Sequence, residues 1–126
     1  MARFLRGGVY WADLEPARGH EQRGQRPVVI LSHDLFNDKA QTVVAMALTS
    51  QPQRPGHPLT WKLTSPVAGK DAWVKLSQIR TLAAERLGRR VALLDAADVG
   101  RLVDACTNLS AKAARLQPVH PVTVLP

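Results

Sequence analysis

Gly19-His20-Glu21-Gln22-Arg23-Gly24-Gln25-Arg26-Pro27 runs directly into Val28-Val29-Ile30-Leu31. The first nine residues are polar and contain two glycines, so they read as a loop. The next four are apolar and mostly β-branched, so they read as a strand. A strand with no polar alternation expects cover on both faces. Residues 42–48, Thr-Val-Val-Ala-Met-Ala-Leu, repeat the pattern and end in Thr49-Ser50.

The rest of the chain falls into place around these two strands. Residues 9–14 alternate, with Val9 and Trp11 on one face and Tyr10, Ala12 and Leu14 on the other. Pro16 and Gly19 end that strand. Residues 34–39 suit one helical turn, with Ser32 as its cap. Three prolines and a glycine make residues 51–58 a loop. Residues 59–63 and 72–76 alternate as half-buried strands, and residues 79–82 form a short extended piece. Residues 85–87 suit a helical turn closed by Gly88, and residues 90–94 a last strand.

Asp95 then stands where a helix N-cap belongs, with Asp98 in the capping-box position. Val99, Leu102, Val103, Cys106, Leu109 and Ala113 follow helical spacing. Early aspartates, with Lys112 and Arg115 late, agree with the helix dipole. Residues 117–126 contain three prolines and read as a tail without helix, which leaves one domain over residues 1–116. A run of short strands before one amphipathic helix predicts a mainly β fold with a C-terminal helix, a small barrel. Closing the sheet would also dispose of its unpaired edges.

At 126 residues the chain is long enough to bury roughly two-thirds of its surface in one core. The formal net charge is +7, which favours a polyanionic partner: nucleic acid, an anionic membrane surface or an acidic protein. Residues 95–126 balance Asp95, Asp98 and Asp104 against Arg101, Lys112 and Arg115, so the excess sits in residues 1–94. The single cysteine, Cys106, allows no internal disulfide and lies on the apolar face of the helix as a structural thiol. His20, His33, His57 and His120 show no ligand spacing, so neither metal nor cofactor is expected. No apolar run approaches the ~18–20 residues of a membrane span, and the start lacks a signal peptide's apolar centre. A cytoplasmic protein is expected.

The opening loop carries the chemistry. It brings a carboxylate, two carboxamides, two guanidiniums and an imidazole to the mouth of a rigid strand. Guanidiniums favour an anionic ligand, with phosphate the first candidate.

These residues, in this order, resemble the MazF/PemK (Kid-like) family of toxin endoribonucleases. The match begins at Arg6-Gly7-Gly8-Val9-Tyr10-Trp11-Ala12-Asp13-Leu14. It continues through Gly19, Glu21-Gln22, Gly24, Arg26-Pro27, Asn37 and Leu48-Thr49-Ser50. Lys70-Asp71, Gln78-Ile79-Arg80-Thr81 and Arg86-Leu87-Gly88 complete it, over about residues 6–115. The resemblance implies an SH3-like (CcdB-like) barrel, a homodimer, and no cofactor. It implies metal-independent, sequence-selective cleavage of single-stranded RNA. It implies Arg26 and Thr49 as catalytic residues, with Glu21 and Gln22 lining the groove. Gln78 and Arg80 stand in the later motif, where they either bind RNA or hold the barrel closed. The partner implied is a MazE-like acidic antitoxin.

Elementary chemistry fits that assignment. The ribose 2′-OH attacks the adjacent phosphate and leaves a 2′,3′-cyclic phosphate (or 3′-phosphate) and a 5′-OH. Charge builds on the phosphoryl oxygens, where a fixed guanidinium and a hydroxyl donor lower the barrier. A guanidinium stays protonated in proteins, so stabilising charge suits Arg26 better than accepting a proton. Glu21 is a candidate acceptor. His20, where the family often has serine, is another, since imidazole titrates near about 6.5.

Gly8 replaces the family's usual acidic residue, which would make the groove slightly more basic. Trp11 shares a face with Val9, so a core or dimer role suits it; Trp61 and Trp73 are open between core and base stacking. Arg54 and His57, close after Thr49, make residues 51–58 a candidate specificity loop, or else a plain turn. Two rival readings share the fold: a non-catalytic CcdB-like gyrase poison, and a plain nucleic-acid-binding module.

Overall fold

The computed structural model describes residues 4–16, 19, 24–53 and 60–116, with side chains as far as Cys106. Six strands and two α-helices follow in the order β1 (Gly8–Asp13), β2 (Gln25–Ile30), α1 (Asp34–Ala40), β3 (Thr42–Thr49), β4 (Thr60–Lys62), β5 (Trp73–Ala83), β6 (Leu87–Leu93) and α2 (Ala96–Leu116). A 3-10 turn, Ala84–Arg86, joins β5 to β6. The expected tail, residues 117–126, lies outside the described residues, as do His20, Glu21, Gln22, Arg54 and His57.

The strands form one antiparallel sheet in the order β4-β5-β3-β2-β1-β6. It is mainly β with a C-terminal helix, as expected, but the sheet is open: among the described residues β4 and β6 are edges and do not pair. The small-barrel description therefore holds only loosely, since the sheet is not closed among the described residues. Alternation along a chain reveals strands; it carries no information about which edges meet.

Both faces of the sheet are covered, which is why β2 and β3 read as unbroken apolar runs. One face gathers Tyr10, Ala12, Val28, Ile30, Val43 and Ala45 around Phe4. The other gathers Val9, Val29, Met46, Leu48, Val74 and Leu102. Successive residues of β3 alternate between the two clusters, as a pleated strand must. Cys106 packs at the margin of the second cluster, and burial raises its thiol pKa, in keeping with a structural role.

α2 starts where the sequence placed it. Asp95 Oδ1 accepts from the Asp98 amide at 2.8 Å, as an N-cap should. The Asp98 carboxylate turns away from that box. It is 1% exposed and accepts from Thr64 Oγ1 at 2.8 and 3.0 Å, tying the helix to the β4–β5 connection.

Three local expectations are corrected. The cap of α1 is His33, whose Nδ1 accepts from the Leu35 amide at 3.1 Å. Ser32 is occupied elsewhere: its hydroxyl accepts from the Val44 amide at 2.9 Å and donates to Asn37 Oδ1. The pieces expected at residues 72–76 and 79–82 are one strand, β5, with a register shift opposite Met46 and Leu48. That irregularity turns the strand across the sheet and hides its continuity from a period-2 reading. Gly88 belongs to β6 and does not close the preceding turn.

Gly8 has a packing cause. A Cβ there would lie 2.5 Å from the Tyr10 ring and 3.0 Å from the Leu5 carbonyl. The Tyr10 ring meets Phe4 edge-on, and its hydroxyl accepts from the Leu5 amide at 3.1 Å. Gly8 pairs with Leu93 at the far end of β1 from Arg26, so it does not tune charge at the groove.

Candidate active site

β2 begins three residues earlier than expected, and this change builds the site. Arg26 lies within the strand, opposite Ala12 of β1, so its backbone is held by the sheet. On the other side, β2 pairs with β3 through Val28↔Ala47, Val29↔Met46 and Ile30↔Ala45. Continuing that register by two residues sets Arg26 across from Thr49. The ladder stops at Val28 because Pro27 has no N–H to donate. Beyond it the two strand ends are freed from each other, and a pocket of about 370 Å³ opens there, lined by both Arg26 and Thr49.

The pocket has an apolar side and a charged side. Leu48, Val67 and Ala72, all buried members of the second core cluster, supply apolar lining. Trp11 adds an aromatic wall and is 37% exposed. Lys70 and Asp71 come from the β4–β5 connection. Asp71 lies 3.4 Å from Lys62, a surface pair of little energetic weight. Lys62 also sits 5.5 Å from the centre of the Trp73 ring, which accounts for that tryptophan; Trp61 packs against the second core cluster. A mouth with Arg26 and Lys70 on it favours an anion, and its apolar lining favours a flat ring beside that anion.

Thr49 is 8% exposed, and its Oγ1 accepts from the Gln51 amide at 3.2 Å. A hydroxyl that accepts one bond still has its own proton to donate. Arg26, by contrast, is exposed. The site thus combines a fixed hydroxyl with a reachable guanidinium.

Gln78 and Arg80 are not among the residues lining this pocket. They stand half-buried on β5, with Arg80 opposite Ala45 and its Nη1 buried. Trp11 is the reverse case. It shares the face of Val9 as expected, yet it reaches the pocket, because β1 extends past the covered part of the sheet.

Lys70 and Asp71 were present in the motifs without a role. The signal lies in pairing: Thr49 opposes Trp73, so the residues just before Trp73 must pass beside Thr49.

Comparisons with known proteins give the chain's family and fold relatives. A family model described as PemK-like, MazF-like toxin of type II toxin-antitoxin system matches residues 5–109. Endoribonuclease EndoA of Bacillus subtilis (strain 168) is 37% identical over 92 residues, covering 71% of this chain and 79% of that protein. Among solved structures, MazF from Deinococcus radiodurans has a TM-score of 0.72 at 24% identity, covering 86% of this chain and 96% of that one. A mycobacterial endoribonuclease in complex with its cognate antitoxin has a TM-score of 0.69 at 24% identity, covering 86% of this chain and 95% of that one. With a family model spanning most of its length and a relative this similar, the chain belongs to the PemK-like, MazF-like toxins of type II toxin–antitoxin systems.

Proposed function

We propose that the pocket between the ends of β2 and β3 is the cleavage site of a sequence-selective, metal-independent endoribonuclease acting on single-stranded RNA. The observation that carries this reading is the β2–β3 register, which sets Arg26 opposite Thr49 beside an exposed tryptophan. The 2′-OH attacks the adjacent phosphorus, the P–O5′ bond breaks, and the 5′ oxygen takes up a proton. Arg26 stabilises charge on the non-bridging oxygens, and the Thr49 hydroxyl donates to the same group. Glu21 and His20, placed by sequence between Gly19 and Gly24, are the candidates to receive the 2′-OH proton. Gln22, Arg54 and His57 are assigned to the RNA groove on the same sequence grounds.

Single-stranded RNA is the substrate because the attacking hydroxyl must swing in line with the leaving oxygen and bases must unstack to be read. Trp11 offers one such base a stacking surface. The protein acts in the cytoplasm as a homodimer. Its basic excess, confined to residues 1–94, suits neutralisation by an antitoxin with an acidic, partly disordered segment.

The test uses an RNA that the protein cuts and the same strand carrying one 2′-deoxy nucleotide at the cut position, both in EDTA. The RNA is cleaved and the deoxy strand stays intact. Cleavage of both contradicts 2′-OH attack; failure to find any RNA that is cut, across a varied pool, favours the gyrase-poison or binding-module reading.

Two side chains can be weighed separately. Thr49→Val lowers kcat about 10²-fold and leaves KM nearly unchanged, because the hydroxyl is lost where charge develops. Thr49→Ser recovers most of the rate, and a wild-type kcat in Thr49→Val removes this residue from the chemistry. Trp11→Ala instead raises KM by about 10-fold with kcat within a few-fold, the weakening expected for one lost stacking contact of about 1–3 kcal/mol. An unchanged KM assigns Trp11 to another task.

A further inference from the structure

We propose that Arg86 is a positioning residue for Arg26: it closes the neck of the connection between β1 and β2 and so fixes the strand end that carries Arg26. This rests on the reading of Arg26 given above. Arg86 ends the 3-10 turn before β6 and is half-buried. Its Nη1 donates to the Asp13 carbonyl at 3.3 Å and also to the Glu15 carbonyl. Those carbonyls belong to the point where β1 leaves the sheet.

Residues 13–15 are also held from the other side. The Leu14 amide donates to the Gly24 carbonyl at 3.0 Å, and the Gly24 amide donates to Glu15 Oε1 at 3.1 Å. Gly24 has a φ of +73°, a conformation that a side-chain-bearing residue takes only under strain. The Glu15 amide in turn donates to Asp13 Oδ1 at 3.0 Å. The neck is therefore a closed ring of hydrogen bonds with Arg86 as its outer clasp.

Register carries this to Arg26. Leu87, next to Arg86, pairs with Ala12, and Ala12 pairs with Arg26 on its other edge. Asp13 and Gln25 are the last pair before the neck. Arg86, the neck and Arg26 thus occupy one line across three neighbouring strands. A catalytic group one residue from the end of a ladder depends on whatever stops that end from fraying. Nη1 carries two N–H groups fixed in the guanidinium plane and so serves both carbonyls at once, an orientation that the freely rotating ammonium of lysine does not hold.

The experiment measures steady-state cleavage of single-stranded RNA, Tm, and amide exchange for Arg86→Ala and Arg86→Lys in the full chain. Arg86→Ala lowers kcat about 10- to 100-fold with KM within about 2-fold, the scale at which a misplacement of roughly 1 Å is felt. The Leu14 and Gly24 amides exchange faster while those of β3 keep their protection. Arg86→Lys recovers part of the loss. In an Arg26→Lys background, which keeps measurable cleavage, Arg86→Ala subtracts much less than it does alone.

Three results each overturn the proposal: an unchanged kcat, a full additional loss in the Arg26→Lys background, or faster exchange spread equally over β3. Should Arg86→Ala not fold, the lysine variant decides through the same kcat and exchange readings. If Arg26→Ala cleaves RNA at the wild-type rate, the parent reading fails. If Arg26→Ala is inactive and Arg86→Ala has wild-type kcat, only this proposal fails.

Discussion

Replacing Arg26 by alanine lowers kcat/KM for RNA about 10³-fold and leaves Tm within about 2 °C of the wild type. The two halves of this result have separate causes. Arg26 is exposed at the end of β2 and is not part of either core cluster, so truncation removes little that holds the fold. Its guanidinium, however, is one of two cations, with Lys70, on the pocket that Thr49 also lines. Losing one donor aimed at developing oxyanion charge costs on the order of 10²–10³-fold, and an arginine on a transferring phosphoryl group more. Arg26→Lys falls between, because it keeps charge but loses the planar fork. Initial rates on one oligonucleotide, with circular dichroism for folding, check the pair of claims. Wild-type cleavage by Arg26→Ala refutes the assignment.

Leu102→Ala destabilises the protein by about 3 kcal/mol and lowers Tm by on the order of 10 °C. Leu102 is fully buried and comes from α2, yet it belongs to a cluster otherwise built from the sheet and its connections, with Val9, Val29, Met46 and Leu48. Among the described residues it is the fully buried one through which the helix meets that face, with Ala105 and Cys106 packed at the margin. Truncation removes the transfer energy of the lost carbons and leaves a cavity among side chains fixed by the sheet, which cannot collapse into it. Val103→Ala, at a half-buried position on the same helix, costs about 1 kcal/mol and serves as the comparison. Thermal unfolding of the two variants checks this. Equal Tm values contradict the seating of α2 described above.

Much of the architecture was legible because it rests on local pattern. The unbroken apolar runs of β2 and β3 announced two covered faces, and Val43, Ala45 and Met46 show them. The spacing of Val99, Leu102, Val103 and Cys106 gave α2, and Asp95 gave its start. What the sequence concealed depends on partners far along the chain. Ser32 looked like a cap and lost that task to His33 because the Val44 amide, on another strand, claims its hydroxyl. β5 looked like two pieces because its register slips opposite Met46 and Leu48. The open sheet edge was hidden for the same reason.

The site divides in the same way. Arg26 and Thr49 came from family resemblance, and the register between β2 and β3 supplies a physical reason for pairing them. Trp11 was legible as a face but not as an exposed one. Arg86 reaches carbonyls 71 and 73 residues away, a contact no local pattern announces. Glu21, Gln22, His20, Arg54 and His57 rest on the sequence alone.

Sequencing the 5′ ends left after digesting a complex RNA pool in EDTA tests the central claim most directly. Attack by the 2′-OH predicts fragments that begin with a 5′-OH, end upstream in a 2′,3′-cyclic phosphate or 3′-phosphate, and share a short recurring motif at the cut. Fragments bearing 5′-phosphates, or a pool left intact, would contradict it.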